Sequence, residues 1–529
     1  MPHILWKNVQ LLRKVFIFAP VLRREGVIEK VLTNKYCMKK VIVLACLSML
    51  PMSYAAAEGF QVNAQSTKQA GMGHVGTAMK LGAESMHFNP AGLVFMNKNV
   101  DLSVGVSGVF ATAKYKKDGY SVETDNTPST PLYAYAGFKI YDNLAAGVMI
   151  NTPYGSGITW GDHWKGAHLC QEISLKAFNL QPTVSWKIMD RLSIGAGLMM
   201  EFGDIKLNRA LIGPGEMTYM ANYMVSAIGQ KYPQMLPLLK PSLEPIMKEM
   251  ALYDESAAAS VALNGHAGIR FGFNVGAMFD VNDKITLGVS YRSKVTAKVE
   301  QGDIELNYAN QQHFEKLIEN VNQLLSKAGA LLPEGTLPAG IGIPPLNTGT
   351  FAAQLPLPSN LNVGVTYRPT KDWTLSGEVQ FVGWGAYDVL DVHFEPPVLS
   401  QYDLHAEKRY KNSRIYRLGA QYAATNRLDV RLGTYYDESP VEDDYLNPET
   451  PSMDKLGITA GFSFRPLNAL SIDLSFSYVT GFGRDGSYTD EYMLMKMIPG
   501  VPNELKSRTF GGHYDATALM PAIGVSYSF

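Results

Sequence analysis

From about residue 98 to the end of the chain, apolar residues recur at every second position. In LSIDLSFSYV (470–479), Leu470, Ile472, Leu474, Phe476 and Tyr478 share one face, while Ser471, Asp473, Ser475 and Ser477 take the other. WTLSGEVQF (373–381) sets Trp373, Leu375, Val379 and Phe381 against Thr374, Ser376, Glu378 and Gln380. LSIGAGLM (192–199), IRFGFNVGAMF (269–279), ITLGVSYR (285–292) and LNVGVTYR (361–368) repeat the pattern. A period of two marks β-strands with one apolar face. Such strands build either a soluble sandwich with the apolar faces inside, or a membrane barrel with them outside.

Connection lengths separate the two. Tight turns fall at Tyr141-Asp142-Asn143, Met189-Asp190-Arg191, Val281-Asn282-Asp283-Lys284, Pro369-Thr370-Lys371-Asp372, Thr425-Asn426-Arg427 and Pro466-Leu467-Asn468. Long segments intervene near 116–130, 154–167, 211–262, 301–354, 395–410, 437–453 and 483–512. Short periplasmic turns and long external loops are the outer-membrane pattern. Six tight turns join twelve strands; a first strand at about 98–115 and a last at about 513–529 make fourteen. An even number closes an antiparallel ring and leaves no edge in lipid. The chain ends IGVSYSF, with Ile523, Val525, Tyr527 and Phe529 on one face, which suits a closing strand with its aromatic end at the interface. The expected fold class is all-β: a 14-stranded antiparallel transmembrane β-barrel over 98–529, with small helices in long external loops.

The N-terminus supports export. Residues 38–57, MKKVIVLACLSMLPMSYAAA, combine basic Lys39 and Lys40, an apolar run from Val41 to Leu50, and a small-residue cleavage site at Ala55-Ala56-Ala57. That is a signal peptide. It begins at the internal Met38, so residues 1–37 read as an over-long gene start or an added extension. Val43-Leu44-Ala45-Cys46 faintly resembles a lipobox, but the apolar run before Cys46 is short. The three cysteines, Cys37, Cys46 and Cys170, are too few for a disulfide framework. A net charge of -1 gives no support for nucleic-acid binding.

A fourteen-stranded ring is too wide for its own side chains to fill. Residues 58–97 are the candidate filler, an N-terminal plug or hatch; a loose periplasmic tail is the alternative. Gly71, Gly73, Gly76, Gly82 and Gly92 favour tight irregular backbone, and Phe60, Met72, Met79, Leu81, Phe88, Leu93 and Phe95 can anchor it. Within it, Phe88-Asn89-Pro90-Ala91-Gly92 is stiff and outside any sheet, because Pro90 cannot donate to a ladder. Asn89 can satisfy neighbouring backbone groups.

These motifs, in this order, resemble the outer-membrane long-chain fatty acid transporter family of the FadL/TodX type. Gly59-Phe60-Gln61, Gly71-Met72-Gly73 and Asn89-Pro90-Ala91 match the opening and the Asn-Pro-Ala signature of that family's hatch. Asn151-Thr152-Pro153-Tyr154-Gly155 is similar to the end of its third strand, and LPLPSNLNVGVTYRP (355–369) with Trp373 and Trp384 to its eighth and ninth. YYDESPVEDDYLNPETPSMDK (435–455) resembles its Asp-x-Ser-Pro-Val-x-Asp element, with a departure. Where the family often shows Pro-Asp-x-Asp-Arg, this chain has Pro451-Ser452-Met453-Asp454-Lys455, and lysine lacks arginine's planar fork. The resemblance implies a monomeric barrel in the outer membrane of a Gram-negative bacterium, inserted by the barrel-assembly machinery and bathed in outer-membrane lipid. It implies passive uptake of a hydrophobic small molecule such as a fatty acid or an aromatic hydrocarbon, with no cofactor. Ligand is captured outside, passes to an inner site against the hatch, and leaves through a wall gap at the third strand.

Candidate positions follow. Phe60, Gly71, Gly73, Phe88, Asn89, Pro90 and Ala91 are the hatch and gating residues, and Pro153, Tyr154 and Gly155 mark a kink or lateral opening. A plain strand end is the alternative there. FEKLIENVNQLLSKA (314–328) gives one helical face to Phe314, Leu317, Ile318, Val321, Leu324, Leu325 and Ala328. Residues 217–250 are rich in methionine, including Met220 and Met224, and methionine suits adaptable apolar binding. Met220, Met224, Phe314, Leu317, Ile318 and Val321 are the capture candidates; mutual burial as a cap is the alternative. The acidic run Asp437, Glu438, Glu442, Asp443, Asp444 and Glu449 lacks calcium-loop spacing and reads as a solvated loop. No His pattern suggests a catalytic or metal site: His163, His168, His266, His313, His393, His405 and His513 match no nucleophile-and-base or paired-ligand motif. An open porin or a surface-adhesion barrel is the rival class.

Overall fold

The computed structural model describes residues 60–331, 337, 340–491 and 502–529. The expected extension at 1–37 and the leader at 38–57 lie outside the described residues. Fourteen wall strands follow in chain order. They are β1 (Val100–Ser107), β2 (Leu132–Tyr141), β3 (Leu144–Thr159), β4 (Glu172–Met189) and β5 (Leu192–Ile212). Next come β6 (Ala259–Asp280), β7 (Ile285–Arg292), β8 (Asn360–Tyr367), β9 (Trp373–Val382) and β10 (Ser413–Thr425). β11 (Leu428–Asp437), β12 (Lys455–Leu467), β13 (Leu470–Gly481) and β14 (Ser507–Ser528) complete the set. Each pairs antiparallel with its sequence neighbours. β1 pairs with β14 from Asp101↔Ser528 to Ser107↔Ala522, which closes the ring. All six expected tight turns join adjacent strands at one end of the barrel. No described helix is long and apolar enough to cross a membrane.

The wall is inside-out relative to a soluble protein. Ile472, Leu474, Phe476 and Tyr478 of β13 are exposed on the outer face, while Asp473, Ser475 and Ser477 are buried inside. β9 likewise exposes Trp373, Leu375 and Phe381 and buries Ser376, Glu378 and Gln380. Near the short turns the Trp373 and Tyr422 rings pack 4.8 Å apart and Tyr527 and Phe529 5.4 Å apart, an aromatic girdle.

Toward the long-loop end this polarity reverses. β6 exposes Phe271, Phe273 and Val275, yet further along the same strand Val261 and Leu263 are buried and His266 is exposed. One extra residue sets the switch: Glu201↔Arg270 becomes Gly203↔Ala267 along β5 and β6. A one-residue bulge turns every following side chain to the other face. Outside the reversed zone, Lys206 meets Glu172 at 2.7 Å and His266 meets Asp204 at 2.8 Å. Short strand segments continue β7, β8 and β9 into this zone at Val295–Tyr308, Thr350–Leu357 and Val389–Glu395. Their buried side chains, including Phe351, Leu355, Val392 and Phe394, form a conventional apolar core.

Among the described residues, three α-helices stand in the long loops: α1 (Glu216–Lys231), α2 (Leu236–Met250) and α3 (Gln311–Gly329). Asn310 caps α3, its Oδ1 accepting from the His313 amide at 3.1 Å.

Candidate functional site

Residues 60–96 lie against the inner faces of the wall strands and are mostly buried. Helical turns at Thr67–Ala70 and Ser85–Phe88 alternate with irregular backbone. Such backbone carries polar groups that its own secondary structure does not pair, and the inward polar face of the wall meets them. Tyr135 Oη donates to Gln65 O at 2.7 Å, and Ser290 Oγ donates to Phe88 O at 2.7 Å. Ser185 Oγ donates to Ala91 O at 3.0 Å and accepts from the Val94 amide at 3.2 Å. Glu378 Oε2 accepts from the amides of Gly76 (3.0 Å) and Thr77 (2.8 Å), and its Oε1 lies 3.3 Å from Arg417 Nη1.

The Asn-Pro-Ala stretch is a short 3-10 helix, Pro90–Phe95, with Asn89 as its cap. Proline opens it because the first helical position needs no amide donor. Asn89 is fully buried. Its Oδ1 accepts from the Ala91 amide at 3.1 Å. Its Nδ2 donates to Thr77 O at 2.8 Å and to wall carbonyls of Ala277 (3.0 Å) and Val289 (3.3 Å). Asn89 therefore ties the segment to itself and to β6 and β7. Phe88 is half-buried, and its ring covers Gly76.

Glycines of the segment have partners that sequence reading missed. Gly71 rests on Gly461, where an added Cβ would come within 2.8 Å of the wall Cα. Gly73 has φ +68 and presses on the backbone of Leu418 and Thr434. Opposite it, Gly419 and Gly433 are register partners in β10 and β11, and a Cβ on either would strike Met72 or Gly73 backbone. Gly195 and Gly276 form a second such pair beneath Pro90 and Asn89. These wall glycines sat in the alternating pattern as small inward positions, with no local signal for what presses on them. Gly433→Val is expected to lift Met72 and Gly73 off the wall while the ring still closes. Increased amide exchange across residues 70–76, with heat-modifiable electrophoretic migration retained, is the measurement.

β3 does not end at Pro153. It runs to Thr159, but its alternation is lost from Asn151 to Ile158, where every residue is buried. The register with β4 shifts between Asn151 and Tyr154, and pairing with β2 stops at Tyr133↔Asn151. Beyond that point the N-terminal segment takes the place of β2. The Val62 amide donates to Pro153 O at 2.9 Å, and the Gly155 amide donates to Phe60 O at 2.8 Å. The strand stays paired with β4 as far as Thr159↔Glu172, while its other edge meets the N-terminal segment in place of β2. Phe60, 3% exposed, meets the rings of Tyr154, Trp384 and Tyr387 at 6.2, 4.7 and 5.8 Å, all edge-to-face.

The mouth above is closed by the segment expected to be a solvated acidic loop. That expectation is corrected in part: Asp437 and Glu449 are buried together with Val441, Leu446, Asn447 and Met453, while Asp443 and Asp444 stay exposed. Pro448 O accepts from Trp160 Nε1 at 3.0 Å. Glu449 Oε2 meets Lys408 Nζ at 2.5 Å, with Lys408 1% exposed. Burial alone would lower the Lys408 pKa; the adjacent Glu449 carboxylate outweighs it and holds the ammonium well above the usual lysine range. Glu442 and Asp443 are paired with Lys411 (2.8 Å) and Arg484 (2.6 Å). Among the described residues no three His, Cys, Asp or Glu side chains converge on a metal-sized site.

At the outer end α1, α2 and α3 share one apolar cluster. Met220, Phe314, Leu317 and Val321 are buried in it, and Met224 and Ile318 are part-exposed at its edge. The six capture candidates are thus brought together, four as scaffold and two as surface.

Residues 48–529 match the family model described as outer membrane protein transport protein (OMPP1/FadL/TodX). Outer membrane protein P1 of Haemophilus influenzae is 23% identical over 463 residues, covering 83% of this chain and 89% of that protein. The long-chain fatty acid transport protein of Escherichia coli K12 is 22% identical over 451 residues, covering 83% and 91%. Among solved structures, a Pseudomonas aeruginosa FadL homologue superposes with a TM-score of 0.66 at 18% identity, covering 89% of this chain and all (100%) of that one. The Ralstonia pickettii toluene transporter TbuX superposes with a TM-score of 0.57 at 15% identity, covering 87% and 97%. The chain belongs to the OMPP1/FadL/TodX family of outer membrane transport proteins, and its fourteen-stranded ring is an outer-membrane β-barrel of a Gram-negative bacterium.

Proposed function

We propose that this protein carries hydrophobic small molecules passively across the outer membrane. They enter from the long-loop side and leave sideways where β3 parts from β2. The course of β3 carries this reading. Between Asn151 and Thr159 it makes no ladder pair with β2, and its freed backbone bonds the N-terminal segment instead. Irregular backbone at membrane depth is tolerated only against protein or a cavity. Residues 58–97 act as the hatch in this reading, with Phe60 at its inner face and Asn89 as its clamp. The aromatic and aliphatic lining above offers apolar contact to a fatty acid or an aromatic hydrocarbon, the cargoes named for the relatives. Met224 and Ile318 form the capture edge, while Phe314 and Leu317 hold the helices together. The barrel works as a monomer among outer-membrane lipids, is placed there by the assembly machinery, and uses neither a cofactor nor catalytic residues. An open porin needs a water-filled channel, whereas here residues 60–96 pack against the inner wall.

Gly155 tests the path. An added Cβ there would sit in ordinary contact, 3.4 Å from Leu175 O and Val62 Cγ2, so small substitutions fit but an indole would block the gap. Gly155→Trp is expected to abolish uptake of a fluorescent fatty acid by cells while Gly155→Ala retains it. Equal uptake by both variants, each correctly assembled, would reject the lateral route.

A further inference from the structure

Building on the reading of the lumen as an apolar passage, we infer that its inner chamber selects amphiphiles whose head group donates a hydrogen bond. A long-chain alcohol, a primary amide or an undissociated acid qualifies; a head that only accepts does not. Glu201 on β5 carries the argument. It is 2% exposed, and neither Oε1 nor Oε2 has a hydrogen-bond partner. The facing charge, Arg292 Nη2, lies 3.9 Å from Oε1, beyond hydrogen-bond length, and is itself without an acceptor. Arg292 is held there by its other nitrogen, Nη1, which donates to Gln181 Oε1 at 3.2 Å. Asn179, the register partner of Glu201 on β4, also leaves its Oδ1 without a donor.

Buried polar groups are normally hydrogen-bonded, and a buried carboxylate without a hydrogen-bond donor is costly. This one lines one cleft, and Arg292 opposite it lines another. On one side a narrow cleft is lined by Leu175, Ala177, Leu355 and Leu357, with Lys176 and Asp204 at its more exposed margin. On the other, Arg292 and Tyr154 line the polar cleft against the N-terminal segment. A tail that parts the apolar side chains of this narrow cleft brings its head to Glu201. The hydroxyl of an alcohol donates to the carboxylate and accepts from Arg292 Nη2; a primary amide does the same with separate atoms. An ester only accepts, and a carboxylate adds a like charge beside Glu201.

The test uses the full detergent-solubilised barrel and native mass spectrometry, comparing dodecan-1-ol, dodecanamide and methyl dodecanoate. The alcohol and amide are expected to bind roughly tenfold more tightly than the ester, the range of a hydrogen bond to a charged group. Glu201→Leu should erase the difference without weakening the ester, and heat-modifiable migration checks its assembly. Should that variant not assemble, Glu201→Gln is read instead and is expected to narrow the difference. Equal binding of all three ligands by the unaltered protein overturns the inference and leaves the transport reading standing. Failure of all three to bind overturns both.

Discussion

Glu378→Ala is expected to release the N-terminal segment from the barrel without opening the ring. Glu378 is buried on the inner face of β9 and serves three groups at once: two amides of the segment and the Arg417 guanidinium. Arg417 also donates to Gln380 and, at 3.3 Å, to Asn63 Oδ1. Removing the carboxylate leaves two amides and a buried cation short of an acceptor. Breaking a buried pair by deleting one partner typically costs about 3–5 kcal/mol. The ring itself rests on backbone ladders that this change does not touch. Rapid proteolytic cleavage within residues 60–97 of the folded barrel, against resistance of the unaltered protein, is the expected readout. Unchanged resistance would mean that the other wall contacts, among them Asn89, Ser185, Ser290 and the wall glycines, hold the segment without Glu378.

Lys408→Met is expected to loosen the loop that closes the mouth. The Lys408 ammonium and Glu449 carboxylate are buried together at 2.5 Å, with the Tyr488 ring 5.6 Å from the nitrogen. Deleting the cation strands the carboxylate, again at about 3–5 kcal/mol. The double change Lys408→Met with Glu449→Leu removes both charges and should restore most of the protection. Amide exchange over 441–453 in both variants checks this. A double variant as unprotected as the single one would show that the loop is held by specific charge pairing rather than by filled volume.

Much of the architecture was legible because its signals are local. Alternation along ten residues fixes which face meets lipid, as in 470–479, and a tight turn such as Thr425-Asn426-Arg427 fixes that two strands are adjacent. Counting such turns gives twelve strands, and one at each end of the barrel sequence makes fourteen. In β6 the polarity reversal toward the long loops was not legible, since it depends on one bulged residue in that strand. The acidic loop was read as solvated from its charge alone. Its burial follows from Lys408, forty-one residues away in sequence from Glu449.

The site divides the same way. Phe60, Gly71, Gly73 and Asn89 stood out because an irregular glycine-rich segment with an Asn-Pro step cannot join a sheet. Their counterparts Glu378, Gly433, Gly276 and Ser290 are ordinary small or polar members of alternating strands. What each meets is set by barrel register, which brings Thr77 to Glu378 across 301 residues and Asn89 to Ala277 across 188. Period-two chemistry, acting through nearest neighbours, determined strands, faces and closure from sequence alone. Only the closed ring decided which inward positions face the segment, which carboxylates are paired, and that Glu201 is left without a donor, because those contacts join residues whose proximity no local pattern encodes.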